Sequence, residues 1–168
     1  GDERLVTAAA GENWHELVCY CIAQGCYGLE NLIAIPGSVG AAPIQNIGAY
    51  GVELSKVLES VTGWDCEQSQ LRTLSAEQCQ LSYRDSIFKH ELKDRFIITS
   101  VCLRLSAIAH PEVSYPALRA ELSDPEQASP QQIAEHVAVI RAAKLPDYRR
   151  EPNAGSFFKN PLISAEKA

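Results

Sequence analysis

The rhythm of apolar and polar positions changes several times along these 168 residues, and each change predicts an element. Residues 4–10 read as a short extended segment. Asn13 and Glu16 then stand three apart, as an N-cap and its capping-box partner do. Leu17, Val18, Cys21 and Ile22 follow at helical spacing until Gly25 closes the helix. Residues 57–64 and 70–73 read as two strands around the polar turn 65–69, a hairpin with a loose loop. Ser75 and Gln78 predict the start of a short helix. Residues 96–105 alternate too little for a half-exposed strand and predict a buried one covered on both faces. Ser129, Pro130 and Gln132 combine an N-cap, a proline at the first helical position and a capping-box glutamine, and Ile133, Val137 and Ile140 give the helix one apolar face. Strands and helices mixed in this order predict an α+β domain, without internal repeats.

One stretch fits neither rhythm. IPGSVGAAPIQNIGAYG, residues 35–51, sets four glycines and two prolines among apolar residues with almost no charge. Gly37, Gly40, Gly48 and Gly51 allow main-chain N–H groups to converge where side chains would block a ligand, and a phosphorylated cofactor is the natural candidate. The spacing matches neither the dinucleotide fingerprint nor the P-loop. A tight structural turn is the competing reading.

Composition narrows the class. With 46% hydrophobic and 21% charged residues, the chain is long enough for one full core. No apolar run approaches a bilayer span, and no basic, apolar and small-residue order marks a signal peptide, so a cytoplasmic protein is expected, with no membrane association. Six cysteines then read as reduced thiols, and Cys19, Cys21 and Cys26 lack the second ligand pair of a metal site. The net charge of −6 argues against nucleic acid as a partner. Locally the sign reverses: residues 141–168 hold six basic and three acidic side chains, enough to meet an anionic substrate. The chain contains no methionine, begins Gly1-Asp2-Glu3, and ends one turn after the N-cap candidate Ser164, which reads as an excised segment of a longer protein.

Three further clusters carry candidate chemistry: YRDSIFK at 83–89, KLPD at 144–147 and NAGSFFKNP at 153–161. Singly, an arginine in YRDS reads as an ordinary ion-pair residue and a serine after glycine as a turn residue. Ser156 has no G-x-S-x-G elbow around it, which excludes an α/β-hydrolase.

Jointly, in this order and at these intervals, the glycine-rich run and the three clusters resemble the UDP-N-acetylenolpyruvoylglucosamine reductase family over nearly the whole chain. The resemblance implies an FAD-binding fold of the vanillyl-alcohol oxidase type, with residues 1–145 as its second α+β subdomain and 146–168 as the start of a substrate-binding domain. It implies an enzyme that takes hydride from NADPH onto FAD and passes it to UDP-N-acetylglucosamine enolpyruvate, with no obligate protein partner. By position, Arg84 matches the arginine that stabilises the enolate and Ser156 the serine that donates the proton, with Lys159 as a candidate helper. Ile35, Ile44, Gln45, Ile47 and Gly48 match flavin contacts. Tyr50, Tyr115, Lys144 and Asn160 match residues that hold the substrate or its diphosphate. The family's first flavin subdomain and its catalytic glutamate have no counterpart between Gly1 and Ala168. Two other readings stay open: a flavin oxidase of another substrate on the same fold, and a noncatalytic module that binds a sugar nucleotide.

Overall fold

The computed structural model describes residues 1–147, 150–153, 159–161 and 163–164. Strand β1 (Glu3–Ala9) leads into helix α1 (Trp14–Ala23). Asn13 caps that helix by accepting the Glu16 N–H at 3.1 Å, and Gly25, at φ +67°, ends it. Trp14, Leu17, Val18, Cys21 and Ile22 form its buried stripe. Strands β2 (Gly48–Ala49) and β3 (Val52–Glu53) make a small hairpin, β4 (Leu58–Asp65) and β5 (Gln70–Ser75) a larger one, and β6 (Phe96–Ser106) is the longest strand. Helices α2 (Pro116–Glu121) and α3 (Pro130–Lys144) complete the order. Ser129 and Gln132 cap α3 reciprocally, as their spacing predicts.

The main sheet runs β1-β6-β4-β5, antiparallel throughout. On one face Val61, Val101, Leu103 and Leu105 are buried with Ala8 of β1 and Leu58 of β4. Between that face and the helices lie 3-10 turns at Glu30–Leu32, Val39–Ala41 and Pro43–Gln45. The second packs on β1 and β6, the first on α1 and α3. The glycine-rich run therefore threads the middle of the domain. Gly40 allows this: a Cβ there would sit 2.6 Å from the Ala10 Cβ, at the end of β1.

Two sequence expectations fail here. β6 is not covered on both faces, because its residues alternate and Ile97 is 60% exposed beside Trp64 and Leu71 on the outer side of the sheet. Its apolar outer residues mimic a buried run without being one. Ser75 and Gln78 do exchange the two capping hydrogen bonds, at 2.9 and 3.3 Å, but the chain makes one turn only and leaves it at Gln80 with φ +49°. Among the described residues, no helix is long and apolar enough to cross a membrane.

Candidate functional site

The hairpin β2–β3 is joined by Tyr50 and Gly51, both at positive φ, as a two-residue primed turn requires. Tyrosine is a costly choice at φ +48°, and the surroundings hold it there. The fully buried Asn31 donates from Nδ2 to the Tyr50 carbonyl and to the Glu112 carbonyl, both at 2.8 Å. That amide ties the glycine-rich run to the loop that carries Tyr115, and the two tyrosine rings meet edge to face at 5.1 Å. Burial pushes the Tyr50 phenol above its ordinary pKa, and the nearby Arg141 charge pulls the other way.

Arg84 arrives from a second direction. It stands at φ +54° in the turn from Ser82 to Asp85, whose ends exchange two main-chain hydrogen bonds at 3.1 Å. Its guanidinium reaches back to the glycine-rich run, donating from Nη2 to the Gly48 carbonyl at 2.6 Å and from Nη1 to the Asn46 carbonyl at 3.3 Å. The approach is close enough that a Cβ on Gly48 would lie 2.9 Å from Nη1. Ser86 fastens the same turn through a 2.6 Å hydrogen bond from its hydroxyl to the Ile44 carbonyl.

Helix α3 supplies the third wall. Arg141 donates from Nε to the Ala34 carbonyl at 3.1 Å, and burial draws its pKa below the usual arginine value while leaving it charged. These pieces enclose a cleft of about 680 Å³ whose rim includes Gly48, Tyr50, Glu53, Lys56, Arg84, Tyr115, Arg141, Lys144 and Asn160. Stretches separated by tens of residues thus converge on one space. Among the described residues none of Lys56, Arg84, Arg141 and Lys144 has a carboxylate ion partner, so four cations face one carboxylate, Glu53. A cleft so charged suits a ligand with several negative charges, such as a diphosphate or a carboxylate.

Of the expected flavin contacts, Gly48 lines this cleft, and Ile35, Ile44, Gln45 and Ile47 are not among its lining residues. Ile35 and Ile44 are half-buried and Gln45 is exposed, whereas Ile47 is buried and both of its main-chain groups are used internally, its N–H by Ala42 and its carbonyl by Leu54. Gly37, at φ +120°, is exposed, has nothing within 4 Å of the place a Cβ would take, and among the described residues its N–H has no partner. An open main-chain donor two residues from the half-buried Ile35 fits a cofactor with a phosphorylated tail. Ser156 lies outside the described residues. Its neighbour Lys159 is placed, with Nζ 5.6 Å from the centre of the Tyr83 ring that also carries the Arg84 guanidinium at 5.2 Å.

Among the described residues, no group of three or more His, Cys, Asp or Glu is arranged to hold a metal ion, and Cys21 and Cys79 are buried thiols pushed up to about 12. Sequence reasoning missed Asn31, Asn46, Glu53 and Lys56. Arg141 was counted only as charge. Nothing in the local spacing of Asn31 signals a partner 81 residues away.

A model of the FAD binding domain matches residues 1–74. The chain is 54% identical over 166 residues to the UDP-N-acetylenolpyruvoylglucosamine reductase of Cupriavidus pinatubonensis, covering 99% of this chain and 49% of that protein. Against the enzyme of that name from Escherichia coli K12 it is 51% identical over 167 residues, covering 99% and 48%. Over nearly its whole length the chain matches the UDP-N-acetylenolpyruvoylglucosamine reductases. It spans about half the length of the curated relatives it matches. A crystal structure of UDP-N-acetylenolpyruvylglucosamine reductase from Thermus caldophilus superposes with a TM-score of 0.61 at 25% identity, over 93% of this chain and 48% of that one. The α+β fold read from the sequence is thereby shared with about half of that solved reductase.

Proposed function

We propose that this chain forms part of an FAD-containing, NADPH-dependent oxidoreductase that reduces UDP-N-acetylglucosamine enolpyruvate to UDP-N-acetylmuramate. Residues 1–145 are the flavin-binding subdomain and 146–168 begin the substrate-binding domain. The observation that carries the reading is the cleft, in which Tyr50, Arg84, Tyr115, Lys144 and Asn160 share one wall system with Arg141. A sugar nucleotide brings a diphosphate and an enolpyruvyl carboxylate, the anionic groups that four cations can meet.

Ile35, Ile44, Gln45, Gly48 and the Gly37 N–H hold the flavin, and Ile47 supports them from within the core. When bound, FAD supplies hydride exchange, accepting from NADPH and delivering to the vinyl carbon β to the substrate carboxylate. Negative charge then gathers on the carboxylate oxygens as an enolate. Arg84 spends two N–H groups on main-chain carbonyls and keeps three, so a permanently charged, pre-oriented donor awaits that charge without having to reorganise. Ser156 gives its proton to the α-carbon, and Lys159 stabilises the alkoxide left behind until solvent restores the proton. Lys144 and Asn160 take the diphosphate. Tyr50 and Tyr115 cover the nucleotide sugar and exclude water from the enolate. This chemistry places the enzyme in the cytoplasm, in peptidoglycan precursor synthesis.

The test is the visible spectrum of the purified protein, at the length of its relatives and without oxygen. Bleaching by NADPH, followed by recovery on adding the enolpyruvyl sugar nucleotide, is the expected result. Bleaching by an alcohol or sugar but not by NADPH would favour an oxidase, and a colourless protein indifferent to added FAD would remove the reading.

A further inference from the structure

Arg84 must do its work from a strained position. A non-glycine residue at φ +54° in a two-residue turn costs about 1 kcal/mol or more unless its surroundings over-determine it. One side chain holds that turn at its base while the same residue's carbonyl holds the guanidinium. Asn46 is fully buried and itself stands at φ +44°, a conformation that asparagine tolerates better than most residues. Its Nδ2 donates to the Ser82 carbonyl, at the base of the Arg84 turn, at 3.0 Å, and to Glu53 Oε2 at 2.9 Å. Its Oδ1 accepts the Ser55 N–H at 2.9 Å. Its own carbonyl accepts from Arg84 Nη1.

We propose that Asn46 is the positioning residue of Arg84, gripping the turn with its side chain and the guanidinium with its main chain. The inference rests on the functional reading above for the consequence in turnover, and on geometry alone for the placement. No other standard side chain supplies two N–H donors and an acceptor at this reach. Aspartate keeps the acceptor but turns an oxygen toward the Glu53 carboxylate and the Ser82 carbonyl. Glycine keeps the backbone conformation and the carbonyl but releases Ser82, Glu53 and Ser55.

The experiment pairs Asn46→Gly and Asn46→Asp with two readouts, at the length of the relatives. The first is nitrogen-15 NMR of the arginine side chains, with the Arg84 signals assigned by their loss in Arg84→Lys. Separate, slowly exchanging guanidinium resonances are expected for the unmodified protein and averaged ones for both variants. The second is steady-state turnover of NADPH and the enolpyruvyl sugar nucleotide. Both variants are expected to lose roughly ten- to hundred-fold in kcat, the scale of a charged hydrogen bond, with KM nearly unchanged. In the Arg84→Lys background, Asn46→Gly is expected to add little, because its effect runs through the guanidinium. Unchanged Arg84 resonances in both variants would overturn the proposal, and so would an equal fall in kcat with and without Arg84. If neither variant folds, Glu53→Ala removes one partner of the Asn46 amide from the cleft side, and unaltered Arg84 resonances there would also overturn it. Should the unmodified protein show no turnover, the functional reading fails while the NMR arm still decides the placement.

Discussion

Gly48→Ala is expected to uncouple Arg84 from the glycine-rich run at small cost to the fold. Gly48 does not stand at positive φ, so the penalty is one of space. The added Cβ would meet Arg84 Nη1 and Glu53 Cγ at 2.9 Å and the Val52 carbonyl oxygen at 3.1 Å. Arg84 Nη1 is the far end of a flexible side chain and can swing away, whereas Glu53 must rotate at Cβ and the carbonyl must be displaced by a few tenths of an ångström. Overpacking of this kind costs about 1 kcal/mol, the low end of its usual range, or a melting-point loss of about 2–4 °C in a domain of this size. Turnover should suffer far more. Moving the guanidinium breaks its 2.6 Å hydrogen bond to the Gly48 carbonyl and the longer one to Asn46. Losing one charged hydrogen bond at the reacting group is worth about 1.5–3 kcal/mol, roughly ten- to hundred-fold in kcat. Thermal melts, flavin absorbance and steady-state kinetics on one preparation separate the effects. A lowered melting point with undiminished kcat would refute the reasoning, since Arg84 would then work from elsewhere. A folded but colourless variant would put the cofactor, rather than the arginine, against Gly48.

Arg84→Lys should depress kcat more than substrate affinity, because an ammonium cannot reproduce the planar fork that meets the enolate; an unchanged turnover number in stopped-flow or steady-state assays would contradict this. Ser156→Ala should leave bleaching by NADPH intact and slow only reoxidation by the sugar nucleotide, and equal loss in both half-reactions would deny it the proton. Trp14→Phe should cost about 2–3 kcal/mol, since the buried indole N–H donates to the Leu32 carbonyl at 2.9 Å and that acceptor would be orphaned. Chemical denaturation that shows no loss would exclude it. Stability against pH should carry two opposite contributions. Main-chain donation from Gln68 and then the Arg72 side chain hold Asp65 below its ordinary 3.8, so its stabilisation is present above that value and is lost as pH falls through the lower folded one. Burial raises Glu30 above 4.5, so its contribution is full below that value and is lost as pH rises through the higher folded one. Melts from pH 3 to 8 should accordingly show a flattened acid limb for Asp65→Asn and a gain for Glu30→Gln that grows toward neutrality; parallel curves would contradict both.

Local chemistry made much of this legible in advance. Asn13 and Ser129 sit where caps must, and α1 and α3 begin there, because a cap is satisfied within three residues of itself. The hairpin β4–β5 was equally plain from its polar turn. β6 was misjudged because Ile97 and its outer neighbours are apolar but uncovered, a state that hydropathy alone cannot distinguish from burial. Ser75 and Gln78 supplied the cap but no apolar face for a helix to bury, so a single turn forms. At the site, Arg84, Tyr115 and Lys144 could be singled out by motif, and the cleft unites them. Asn31 and Asn46 were invisible because their value lies in partners far along the chain or packed from another element.

The strand order has a bearing on how this protein comes into being. Among the described residues β1 pairs with β6, about a hundred residues later, and Arg84, Ser86 and Arg141, which hold the glycine-rich run or the residue just before it, follow it in the chain. The segment that matches the FAD binding domain model ends at residue 74, before any of these is made. Evolutionary recognition and autonomous folding therefore part company here. A nascent chain cut at that point leaves β1 without its partner strand and the loop without these three side chains, so the cleft is completed late in synthesis.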